Sequence, residues 1–144
     1  MKRQAYLDLM EKHQKELSDF PMEYAFNEEQ LSRALDKLGA TVKECVTVTG
    51  YGDVIKKKDV PAFFELLKRQ KEELFAALQD KEFAEAAFLY EMDNHEYAIN
   101  WDGDADVLAC FNLDEDKLYE MGLDGAYRRA RKAHYDHARE WEMI

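Results

Sequence analysis

Val60, Phe63, Phe64, Leu67, Leu74, Phe75 and Leu78 recur at three- and four-residue spacing and make the strongest apolar stripe in the chain. That stripe commits the segment from Asp59 to about Gln79 to an amphipathic helix, which must lie against an apolar surface. Asp59 reads as its cap, and Pro61 is tolerated in the first turn. The segment is expected to be the central core helix. The rest of the chain then has to supply surfaces for it.

It does so with further punctuated stripes. Tyr6, Leu9, Met10, His13 and Leu17 share one face of a helix over residues 2–18. His13 on that face reads as a core or boundary histidine. Asp19-Phe20-Pro21 ends the helix, because the residue before proline is pushed out of the α region. Phe20, Met22, Tyr24 and Phe26 alternate over a short extended link, expected to plug the core. Asn27 with Gln30 resembles a capping box, Leu31, Ala34, Leu35 and Leu38 face inward, and Gly39 suits the C′ position. Cys45–Thr49, the glycines of Gly50-Tyr51-Gly52-Asp53 and Val54-Ile55-Lys56 predict a small β-hairpin. Asp80 caps a helix with Phe83, Ala86, Ala87 and Tyr90 inward. After an acidic turn, Val107, Leu108 and Phe111 mark a short helix capped by Asp102 or Asp104. Asp114 starts another, with Leu118 and Met121 inward, and Tyr127, Ala130, His134, Ala138 and Trp141 stripe the last. The pattern predicts a mostly α, α+β fold. It would be a compact helical single domain spanning 1–144, with about five to six helices and a hairpin near residues 45–56.

Composition narrows the function classes. With 144 residues and 47% apolar content the chain can bury a sizeable core. No apolar run approaches the roughly 18 residues that span a bilayer, and MKRQAYLDLMEKHQ lacks the apolar region of a signal peptide. The expectation is a cytoplasmic protein whose two cysteines, Cys45 and Cys110, are buried reduced thiols. The net charge of −11 is regional. Through residue 72 the chain carries 13 basic and 13 acidic residues, whereas Glu73–Glu120 carries 14 acids against Lys81 and Lys117, an excess of 14 − 2 = 12. Met121–Ile144 returns five basic and four acidic residues, and its basic helix is expected to compensate the acidic segment. Such a field repels nucleic acid and membrane phosphates and attracts a basic partner.

Chemistry-bearing motifs are sparse. Gly50 and Gly52 serve a turn, since neither a P-loop nor a dinucleotide fingerprint is present. Lys56-Lys57-Lys58 reads as a solvated face. Asp102-Gly103-Asp104-Ala105-Asp106 opens like a calcium loop, but Val107 stands where that loop needs glycine and Leu113 where it needs glutamate. His134 and His137 form an isolated HxxH. Glu91 and His95 share a helix face, which suits an ion pair at a helix C-terminus and equally an acid/base or metal-ligand pair. No catalytic constellation emerges, so the chain reads as non-enzymatic, without cofactor or metal. A small metal-binding or enzymatic domain centred on Glu91 and His95 is the alternative, and a homodimeric module built on Tyr/Phe-rich faces is a third class.

FPMEYAFNEEQL, a glycine-containing loop with a lysine-rich exit, and FLYEMDNHEYAINWDGDADVLACF together resemble a family of small uncharacterised proteins of Gram-positive bacteria, phages and integrative elements. The resemblance covers most of residues 20–112. Its recurring pattern corresponds here to Tyr90-Glu91, Asn94-His95-Glu96-Tyr97 and Asp106-Val107-Leu108. It implies no activity, only a mobile-element setting. Joined to the acidic segment, that setting leads to the expectation of an anti-defence inhibitor of the anti-CRISPR type. Its partner would be a basic, nucleic-acid-binding host protein, met through Asp93, Glu96, Asp102, Asp104, Asp106, Asp114, Glu115 and Asp116.

Overall fold

The joints of the chain follow the capping chemistry that the sequence predicts. In the computed structural model, which describes residues 2–144, Asn27 accepts the backbone N–H of Gln30, and the Gln30 side chain accepts the N–H of Phe26. Gly39 takes the left-handed conformation, at φ 63°, that closes this helix. Asp80 accepts from Glu82 and Phe83, and Asp114 from Lys117.

Between these joints lie α1 (Lys2–Asp19), β1 (Met22–Tyr24), α2 (Glu28–Leu38), β2 (Cys45–Val46), β3 (Asp53–Lys56), α3 (Val60–Leu78), α4 (Lys81–Asn94), α5 (Gly103–Ala109), α6 (Glu115–Glu120) and α7 (Asp124–Glu140). The mostly helical α+β class is as expected. The described residues hold seven α-helices, the two short ones included; Asp114 caps its helix as expected, whereas Asp102 precedes α5 without a side-chain cap bond. The chain gathers into two compact units. One comprises the N-terminal residues through Glu11 with Lys71–Ile144, the other Lys12–Gln70, and the division falls inside α1 and inside α3.

In the unit of residues 12–70 the strands are ordered β1-β3-β2, all antiparallel. The expected hairpin is β2–β3, with Cys45 opposite Lys56 and Val46 opposite Ile55. The link after Pro21, expected to plug the core, is instead the edge strand β1, with Met22 opposite Ile55. Tyr24 and Phe26 stay exposed. Phe26 is spent on the loop surface: its ring lies so close over Gly52 that a Cβ there would come within 2.6 Å. Ala34 and Leu38 of α2 pack on Val54, and Phe20 meets Phe63 edge-on at 5.4 Å. Asp59 does not cap α3, because Lys57–Asp59 form a 3-10 turn running into it.

The other unit is organised around α4, not α3. Phe83, Ala84, Ala87, Phe88, Glu91 and Met92 are all buried. A helix covered on several sides has no single apolar stripe, whereas α3 leaves Phe64 51% exposed. α4 makes its broadest contact with α7, where Ala126, Ala130 and Ala138 are buried. These alanines, with Ala84 and Ala87, let the two backbones approach closely. Phe88 meets Phe111 at 4.9 Å and Tyr127 at 5.3 Å, both edge-on. Trp141, expected on the α7 stripe, follows the end of the helix and is 53% exposed. Cys45 and Cys110 are free and half-buried rather than fully buried. No helix among the described residues is long and apolar enough to cross a membrane.

Candidate functional site

Within the acidic segment the chain turns where α4 ends. His95 is the C-cap residue, and Glu96 follows in the left-handed region at φ 51°. That kink turns the chain into the 3-10 turn Tyr97–Ile99. Asn100 then fastens the corner. Its side-chain amide donates to the His95 carbonyl (3.2 Å) and to Asp106 (2.9 Å), while its Oδ1 accepts the Asp102 N–H (2.9 Å). Gly103 opens α5 against the Tyr97 ring, where a Cβ would come within 2.8 Å. Larger residues are excluded there by that approach.

Three of the segment's carboxylates are held inside the fold. Asp93 bridges two histidines, accepting from His134 Nδ1 at 2.7 Å and His137 Nδ1 at 2.9 Å. The Ala98 N–H donates to His134 Nε2 at 2.9 Å, which puts the neutral ring's proton on Nδ1, facing Asp93. Asp104 accepts both the Tyr97 hydroxyl (2.7 Å) and the Tyr127 hydroxyl (2.6 Å). Burial, then the hydrogen bond to Asp104, pushes both phenols above their ordinary range, and the hydrogen bond to Tyr97 raises Arg131. Glu91 is buried and accepts from Tyr6 at 3.0 Å. Burial and the Glu91 charge likewise push the Tyr6 phenol up.

Beside Glu91, the Cys110 Sγ stands 3.4 Å from His95 Nε2 and 3.4 Å from the Asp106 carbonyl. Burial, together with the Glu91 charge, pushes this thiol up to about 12. The ligand atoms of Glu91, His95 and Cys110 all lie within 4.8 Å of one another. The predicted Glu91–His95 pair therefore gains Cys110 as a third member.

The other predicted acids face outward. Glu96, Asp102, Asp106, Asp114, Glu115 and Asp116 are exposed. Asp102, Asp114 and Glu115 border a groove of about 500 Å³ with Leu108 and Leu113 in its lining, and none of the three is in an ion pair among the described residues. Trp101 joins that lining with its side chain fully exposed. The predicted set thus divides. Asp93 and Asp104 serve internal hydrogen bonds, and Asp104 also lines the groove that Asp102, Asp114 and Glu115 border. Trp101, Tyr97, Tyr127 and Cys110 are not among the predicted site residues. Trp101, an aromatic residue beside an acidic turn, carries a readable signal. The three others gave none, since their partners are brought together only by the fold. On α7, Arg129 pairs with Glu85 of the acidic segment at 2.9 Å, as expected, whereas Arg128 pairs with Asp124 of its own helix at 3.1 Å.

No curated protein and no solved structure gives a significant match to the chain. One family profile does match, over residues 5–132, and the chain belongs to that family of unknown function, DUF7659.

Proposed function

We propose that this chain is a non-enzymatic, cytoplasmic interaction protein of a phage or mobile element. It binds the basic nucleic-acid channel of a host defence effector and blocks it in the manner of an anti-CRISPR inhibitor. The mobile-element setting rests on the Asn94-His95-Glu96-Tyr97 resemblance. The observation that carries the docking reading is Trp101, fully exposed at a groove bordered by Asp102, Asp114 and Glu115. Carboxylates without an ion pair among the described residues substitute for phosphates. They gain from the same Lys and Arg groups that nucleic acid uses, with release of the partner's counterions. An exposed tryptophan among them supplies the aromatic anchor on which binding energy concentrates, and its ring face accepts arginine. Asp106 and Asp116 extend the charge, while Asp93 and Asp104 maintain the scaffold.

The test is capture from host lysate at low and high salt with three proteins. These are the wild type, Trp101→Ala, and the triple variant Asp102→Asn, Asp114→Asn, Glu115→Gln. The wild type should retain a basic nucleic-acid-binding protein at low salt, release it at high salt, and be displaced from it by nucleic acid. Both variants should lose it. Retention of nothing basic, or equal retention by all three proteins, sinks the reading.

A further inference from the structure

We infer that Glu91, His95 and Cys110 form a site for one thiophilic divalent cation of the zinc class. This goes beyond the docking reading and stands independently of it. Glu91 and His95 are one helical turn apart at the end of α4, and Cys110 caps the end of α5. Two helix ends therefore deliver an oxygen, a nitrogen and a sulfur to one point, with all three ligand atoms within 4.8 Å.

The spacing suits the chemistry. Zinc lies about 2.3 Å from a cysteine sulfur and about 2.0–2.1 Å from a histidine nitrogen, so a tetrahedral site separates the two donors by about 3.5 Å. The Sγ–Nε2 distance of 3.4 Å meets that spacing without backbone movement. One carboxylate and one thiolate offset the two positive charges of the ion, and the thiol proton passes to solvent on binding. The set is too soft for calcium or magnesium, and the sulfur selects a zinc-like metal. Glu91 is oriented from outside the donor set, because the Tyr6 hydroxyl donates to its Oε2 at 3.0 Å. Three protein ligands leave a fourth position for water or another small donor.

The test is titration of the chelator-treated 144-residue chain with Co²⁺, which reports thiolate coordination by a charge-transfer absorption, followed by displacement with Zn²⁺. The expected result is one equivalent bound with that absorption in the wild type and in Cys45→Ser, and no such absorption in Cys110→Ser. Glu91→Gln and His95→Gln should each weaken binding at least about tenfold, and Tyr6→Phe, which touches no ligand position, about tenfold. A wild type without the absorption, or an absorption that disappears with Cys45 rather than Cys110, overturns the inference. Should Cys110→Ser fail to fold, the wild-type and Cys45→Ser titrations decide it alone.

Discussion

The two compact units both bury a carboxylate, but they hold it by different means. In the unit of residues 12–70, Asp53 is 2% exposed and its partners are its own neighbours. The Thr47 hydroxyl donates at 2.7 Å, the Val48 N–H at 2.7 Å and the Thr49 N–H at 3.1 Å, with the Thr49 hydroxyl a fourth donor. In the other unit Glu91 is held by Tyr6, Asp104 by Tyr97 and Tyr127, and Asp93 by His134 and His137. Several of those partners lie 23 to 85 residues away. A loop that satisfies its own acid closes locally and asks little of the rest of the fold. Acids satisfied by phenols and imidazoles on other helices tie those helices together. The second arrangement ties α4, α5 and α7 together next to the groove at Trp101.

The largest effect on stability is expected in the core. Phe88 is fully buried between Phe111 and Tyr127, and Phe88→Ala should cost about 3–5 kcal/mol in urea unfolding. A cost under about 1 kcal/mol would deny that α4 is the centre of its unit.

Asp53→Ala should cost about 1–3 kcal/mol, because Val48 and Thr49 lose their acceptor. Hydrogen exchange should then accelerate in residues 47–53 and leave α4 and α7 protected. Acid gives the same break by titration. Burial pushes the Asp53 carboxyl up, but the hydrogen bonds from Thr49, Val48 and Thr47 outweigh it and hold the group well below its ordinary value. Its stabilisation is therefore present above the unfolded value near 4 and lost as pH falls toward the folded value. Protection of this loop at pH 3 equal to that at pH 7 would contradict the assignment.

The tyrosine-held unit should fail at the opposite end of the scale. Tyr127 and Tyr6 titrate above their ordinary value of about 10, so folding favours the neutral phenol. The stability they give is whole below pH 10 and declines as pH rises above it. Tyr127→Phe should cost about 1 kcal/mol at pH 7 and flatten the alkaline decline. An unchanged alkaline limb would remove Tyr127 from the account. The smallest stability effect belongs to the groove. Trp101→Ala should change stability by less than about 0.5 kcal/mol by thermal melting, since the ring is fully exposed.

Local rules made one side of this comparison readable in the sequence and hid the other. Caps at Asn27, Asp80 and Asp114, the Gly39 stop and the β2–β3 hairpin all depend on neighbours a few residues apart. The third strand escaped because β1 is three residues long and pairs with β3 across α2. The stripe on α3 was legible, yet α4 is the centre, since burial on several sides erases periodicity. The acidic residues were legible as charge, but charge does not say which are engaged internally. Asp93 and Asp104 look like Asp102 and Asp114 until α7 brings His134, His137 and Tyr127 to them. Cys110 had no readable tie to His95, because a turn and a whole helix separate them.

The most direct measurement uses the tryptophan itself. In Trp141→Phe, Trp101 is the one tryptophan left, and its emission reports burial of the groove rim. Titration with an oligoarginine peptide at low salt should shift that emission to the blue, with affinity falling steeply as salt rises and with nucleic acid leaving the peptide-free signal unchanged. Emission that stays fixed at low salt, or a shift indifferent to salt, would contradict the claim that this face receives a basic partner.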